Sequence, residues 1–110
     1  MRDRPVEIEE TQQDGTRSLR LRGELDMAGV PVLDQRVRAC AGDGTKQLTI
    51  DLRGLRFIDS SGIAALVHAS KLCEKNGVEL ELVRGHTAVQ RLFVLTGLND
   101  VLPFRDAPKR

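Results

Sequence analysis

The sequence predicts a two-layer α/β domain: a mixed four-stranded sheet, built as a β-hairpin followed by two βαβ units, with helices mainly on one face. Three observations carry this prediction. Apolar residues alternate with polar ones in short runs, they recur at helical spacing in the segments between, and Gly, Asn and Asp punctuate the joins. The alternation also decides the layering. A parallel strand buried on both faces reads as a continuous apolar run, whereas Leu48, Ile50 and Leu52 are separated by Thr49 and Asp51, and Leu80 and Leu82 are flanked by Glu79 and Glu81. One face of the sheet is therefore expected to be wetter than the other.

Taken in order, Val6 and Ile8 begin a weakly alternating strand, and Leu19, Leu21 and Leu25 alternate clearly with Arg20 and Arg22. The stretch Gln12-Gln13-Asp14-Gly15-Thr16 between them holds an Asp-Gly turn signal, which makes the two strands a hairpin. From Gly29 to Ala41, Val30, Leu33, Val37 and Cys40 keep helical spacing, and Pro31 falls in the first turn, where its missing N–H costs nothing. Gly42-Asp43-Gly44 ends that helix, and Leu48 to Leu52 form the third strand. A second helix runs from about Ser61 to Lys75 and stops at Asn76-Gly77. Val78, Leu80 and Leu82 give the fourth strand. A third helix spans Thr87 to Thr96 with Val89, Leu92, Phe93 and Leu95, and stops at Gly97. The segment from Leu98 to Phe104 should pack back on the body, with residues 1–5 and 105–110 frayed around a single domain covering 1–110. Right-handed crossovers make strands two, three and four parallel.

Composition excludes several classes of function. A chain of 110 residues has room for one core and little more. With 17 Lys+Arg against 16 Asp+Glu, interspersed, there is no basic face to drive phosphate-backbone binding. Three Phe with no Trp or Tyr offer no stacking platform for single-stranded nucleic acid. The N-terminus Met1-Arg2-Asp3-Arg4-Pro5 lacks the apolar stretch of a signal peptide, and no run reaches the length of a membrane span, so a cytoplasmic protein is expected. Cys40 and Cys73 fit no metal-ligand spacing, lie on apolar helix faces, and read as buried free thiols; whether they pair is open. His68 and His86 have no Cys, Asp or Glu at ligand spacing, so neither a metal nor another cofactor is expected.

The chemistry concentrates at one edge. Parallel strands two and three send their C-terminal ends to the same rim, which brings Gly23-Glu24-Leu25-Asp26 and Phe57-Ile58-Asp59-Ser60-Ser61-Gly62-Ile63 together. Asp59 or Ser60 should cap the second helix, which leaves Ser61 in its first turn, where unpaired N–H groups and the helix dipole favour an added anion. Gly62 either keeps the approach to that hydroxyl uncluttered or serves close packing. Asp26 is expected to cap the first helix. Catalysis is discounted: Ser61 has Asp59 rather than Gly two residues before it, and His68, two helical turns away, is too distant to be its base.

The pair of motifs Gly23-Glu24-Leu25-Asp26 and Asp59-Ser60-Ser61-Gly62-Ile63, followed by Leu95-Thr96-Gly97-Leu98, resembles the STAS domain family over about Val6 to Phe104, and more narrowly the bacterial anti-sigma factor antagonists. The resemblance implies a STAS-like fold and a non-enzymatic binding switch without cofactor. On that resemblance, the unphosphorylated form is expected to bind an anti-sigma factor that is also a Ser/Thr kinase and so to free a sigma factor. The resemblance further implies that phosphorylation of Ser61, with Ser60 as the alternative position, ends the interaction and that a Ser/Thr phosphatase restores it. It implies partner contacts through Glu24, Asp26, Asp59, Ser60, Ser61 and Gly62, with no nucleic acid and no membrane, in a monomer or weak dimer. The competing reading keeps the fold without phosphorylation, as a STAS subunit of a stressosome-like or lipid-transport assembly. A small enzyme or nucleotide-binding protein using Ser61 ranks last, for want of a base, a metal site or a phosphate loop.

Overall fold

The computed structural model describes residues 6–107. Two antiparallel strands, β1 (Glu7–Gln13) and β2 (Thr16–Leu25), meet at an Asp14-Gly15 turn. Both turn residues have positive φ, 51° and 82°, the backbone that Asp-Gly tolerates and that matches strand twist in a two-residue hairpin. Then follow α1 (Val30–Gly42), β3 (Gln47–Ile58), α2 (Ser60–Lys75), β4 (Glu79–Val83), α3 (Thr87–Leu95) and β5 (Phe104–Arg105). The sheet order is β1-β2-β3-β4-β5, with every pairing after the hairpin parallel.

The sheet has five strands, not four. The short β5 pairs Phe104 with Leu82 and Arg105 with Val83, so Arg105 belongs to the sheet rather than to a frayed tail. Two residues are too few to show alternation. What anchors them is tertiary. The Phe104 ring meets Phe93 edge-on at 4.9 Å, and the Arg84 guanidinium lies 5.5 Å from the Phe104 ring centre while bonding Asp106 at 3.0 Å. The ends expected to fray at residues 1–5 and 108–110 lie outside the described residues.

One apolar core joins the sheet to all three helices. Leu19, Leu21, Leu48, Ile50, Leu52 and Leu82 from the strands are buried against Leu33 and Val37 of α1, Leu66 and Cys73 of α2, and Val89 and Phe93 of α3. Among the described residues, no helix covers the opposite face. Ser18, Arg20, Thr49, Asp51, Arg53 and Arg105 line a concavity of about 310 Å³ there, which agrees with the expected wetter face. Asp51 lies at its floor, only 8% exposed. Its carboxylate accepts from the Arg53 backbone N–H at 3.0 Å and from both Nε and Nη2 of the Arg53 guanidinium. Burial pushes this carboxyl up, but the hydrogen bonds and positive charge of Arg53 outweigh burial and hold it below the usual carboxylate range. A depressed folded value contributes stability that is present above the unfolded value, about 3.9, and lost as pH falls through the folded one. Urea midpoints from pH 7 to pH 2 should therefore show Asp51→Asn less stable than wild type at neutral pH, with the gap closing in acid. A constant gap across that range refutes this role for Asp51.

β3 outlasts β4. Its last pairing with β4 is Asp51 with Val83, after which it continues beside β2 alone as far as Leu25 and Ile58, through two register shifts, between Asp51 and Gly54 and between Leu55 and Phe57, each with the extra residue on β3. At the first shift the strands approach so closely that a Cβ on Gly54 would stand 2.5 Å from the Leu21 carbonyl oxygen, so only glycine fits. This β2–β3 ribbon carries the rim on which the Asp-Ser-Ser-Gly segment sits.

Candidate functional site

Asp59 is the N-cap of α2. It has extended backbone, φ −117° and ψ −172°, and its Oδ1 accepts from the Gly62 N–H at 3.1 Å. The cap falls to Asp59 rather than Ser60, so Ser60 and Ser61 open the helix with neither hydroxyl used to cap it. Ser60 is exposed and Ser61 half-buried. The Asp59 N–H donates to the Leu25 carbonyl at 3.4 Å, which ties the start of α2 to the end of β2.

Asp26 does not cap α1. Gly29 is the N-cap and provides no side chain. Asp26 shapes the turn before it: its Oδ1 accepts from the Ala28 N–H at 3.1 Å, and its carbonyl accepts from Gly29 at 2.9 Å and Val30 at 3.2 Å. Pro31 in the first turn of α1 displaces the helix start downstream of where an Asp26 cap would put it.

Between α1 and α2 runs a groove of about 480 Å³, lined by Met27, Val30, Pro31 and Asp34 on one side and Ser61, Ala64, Ala65 and His68 on the other. Of the six residues expected to meet a partner, Ser61 alone lines this groove. Glu24, Asp26, Asp59, Ser60 and Gly62 flank it on the β2–α1 and β3–α2 junctions. Sequence reasoning missed the groove's other residues, although a signal was present. Ser61, Ala64, Ala65 and His68 recur at i, i+3, i+4 and i+7, a second stripe of small and polar residues beside the core stripe of Ile63, Leu66, Ala69 and Cys73. Charged and polar groups gather at the groove's Asp34 and His68. Arg38 donates to Asp34 at 2.9 Å and lies 3.4 Å from Nε2 of His68, which is 4.0 Å from Asp34.

Cys40 and Cys73 are both free and buried. Burial, aided by nearby Cys40, pushes the Cys73 thiol up to about 11, and burial also raises Cys40 despite the Arg17 guanidinium beside it. Among the described residues no three His, Cys, Asp or Glu side chains gather in a metal-holding group, and no helix is long and apolar enough to cross a membrane.

A hairpin-edged parallel sheet with Asp-Ser-Ser-Gly heading its second helix defines a STAS domain; the chain matches that domain over residues 7–109 and belongs to the family. Within it, several relatives are named anti-sigma factor antagonists. The anti-sigma-B factor antagonist of Staphylococcus aureus is 32% identical over 97 residues, which cover 88% of this chain and 90% of that protein. Its Bacillus subtilis counterpart is 29% identical over the same length, covering 88% of each. The crystal structure of an anti-sigma factor antagonist from Mycobacterium paratuberculosis superposes with a TM-score of 0.78 at 29% identity, covering 90% of this chain and 84% of that one.

Proposed function

We propose that this protein is an anti-sigma factor antagonist: its unmodified rim and α1–α2 groove bind an anti-sigma factor with Ser/Thr kinase activity, a sigma factor is freed, and phosphorylation of Ser61 reverses the binding. The observation that carries this reading is the position of Ser61, in the first turn of α2 with the cap already filled by Asp59 and its side chain on the wall of an apolar groove. A phosphoryl group brings roughly −1.5 to −2 charges. The first turn of a helix of this length tolerates that charge, so the fold survives. A docked partner does not, because the charge must be stripped of water beside Met27, Ala64 and Ala65, with Asp26 and Asp59 on the same rim. Ser60, exposed and one residue earlier, is the alternative acceptor. The protein acts in the cytoplasm, performs no catalysis itself, and depends on a Ser/Thr phosphatase for reset.

The test is direct. Incubation with the anti-sigma factor kinase of its own organism and ATP should add one phosphoryl group by intact mass, and Ser61→Ala should abolish the gain. A gain that persists in Ser61→Ala and vanishes in Ser60→Ala reassigns the acceptor. No gain at all overturns the switch and favours a STAS subunit held in a larger assembly.

A further inference from the structure

Three sulfur atoms lie among the described residues, and their surroundings divide them sharply. Cys40 and Cys73 are buried with thiols raised by that burial, so neither offers an accessible thiolate. Met27 is 74% exposed, beyond any other large apolar side chain among the described residues, and it lines the α1–α2 groove that Ser61 also lines. A thioether needs no deprotonation to react, so access alone decides its oxidation. Val101 and Leu95 are nearly as exposed, at 71% and 69%, but neither lines this groove, so what singles out Met27 is its place beside Ser61 on the surface read above as the docking site.

We propose that Met27 is an oxidation-sensitive contact of the docking groove, and that its conversion to the sulfoxide by a hydroperoxide releases the anti-sigma factor independently of Ser61 phosphorylation. This rests on the antagonist reading above. In the step, the Met27 sulfur lone pair attacks the distal peroxide oxygen. The O–O bond breaks, a sulfur–oxygen bond forms, and the hydroperoxide leaves as the alcohol after its proton moves to the departing oxygen. Sulfur is oxidised by two electrons and the peroxide reduced by two. The product puts a strong acceptor in a groove whose lining residues Val30, Pro31, Ala64 and Ala65 have no side-chain donor; the donors in the lining, Ser61 and His68, are both on α2. A partner's apolar side chain then meets a polar group it cannot satisfy.

The experiment treats the purified full-length protein with tert-butyl hydroperoxide, maps added oxygen by peptide mass, and measures affinity for the purified anti-sigma factor kinase of the same organism before and after. The expected result is one oxygen on Met27 with both cysteines unmodified, an affinity loss of roughly tenfold, the size expected for an unpaired polar group in an apolar contact, and recovery on treatment with methionine sulfoxide reductase. In Met27→Leu, whatever its starting affinity and whether or not Met1 gains oxygen, treatment should leave that affinity unchanged. Affinity unaltered with Met27 fully oxidised overturns the proposal, as does prior oxidation of Cys40 or Cys73, or an equal treatment loss in Met27→Leu. Absence of binding by the untreated protein strikes instead at the antagonist reading, and the two failures are told apart by that first measurement.

Discussion

Ser61→Asp should weaken binding of the anti-sigma factor by about tenfold or more while leaving the far-UV circular dichroism spectrum and the melting temperature of the free protein unchanged or slightly improved. Two opposed effects of one carboxylate set this expectation. In the free protein the charge sits at the head of α2, where a negative group is favoured by roughly 0.3–1 kcal/mol. Ser61 is only half-buried, so that carboxylate keeps part of its hydration. In the complex the same group lies in the wall of the groove, and covering it costs several kcal/mol unless the partner supplies a matched cation. Each 1.4 kcal/mol of that cost is a factor of ten in affinity, so desolvation wins. A phosphoryl group, with more charge, should exceed the effect of Asp. Ser61→Ala removes only a hydroxyl and should bind close to wild type while resisting the kinase. Titration calorimetry of the three proteins against the purified partner checks the series, and equal affinities throughout would discard the charge switch.

Much of this arrangement is legible in the amino-acid order, because local patterns govern it. Strands β2, β3 and β4 show in the strict alternation around Leu19, Ile50 and Leu80, and the hairpin shows in Asp14-Gly15. The meeting of the two motifs at one rim follows from parallel topology, and the Leu25 to Asp59 hydrogen bond realises it. What was hidden is what depends on partners distant in sequence. β3 was expected over Leu48 to Leu52, yet it continues to Ile58, because beyond Asp51 its pairing with β2 bulges and the alternation drifts out of phase. β5 is fixed by Phe93 and Arg84 rather than by its own pattern. The cap of α1 was misplaced because an Asx turn at Asp26 and a helix cap carry the same residue signal, and only the position of Pro31 separates them. The groove required two helix faces to be set side by side. Val30, Pro31 and Asp34 read singly as the surface of one helix, and nothing local says that Ala64 and Ala65 stand opposite.

Gly62→Ala should lower the melting temperature by about 4–8 °C and weaken partner binding as well, although Ala is the better helix former. On propensity alone the substitution would stabilise α2 by roughly 1 kcal/mol. Space decides otherwise. A Cβ at this position would stand 2.6 Å from the Leu25 carbonyl oxygen, 2.7 Å from Cγ1 of Ile58 and 3.0 Å from Cγ of Leu25. The nearest of these atoms is backbone in β2, held by pairing with β3, and cannot swing away as a flexible side chain would. Relief comes only by moving the head of α2 outward, at the typical overpacking cost of about 1–3 kcal/mol. That exceeds or cancels the helix gain. A net loss near 1 kcal/mol corresponds to the stated shift for a domain of this size. The displacement also falls where function resides. The Gly62 N–H is the donor to Asp59, so the cap loosens and Ser61 turns away from the groove as the helix start moves. Gly42, in the last turn of α1 with nothing within 4 Å of its position for a Cβ, is the control: Gly42→Ala should leave melting unchanged or raise it slightly. Should Gly62→Ala melt as high as Gly42→Ala and bind as wild type does, close packing against Leu25 would not be what places Ser61 at the groove.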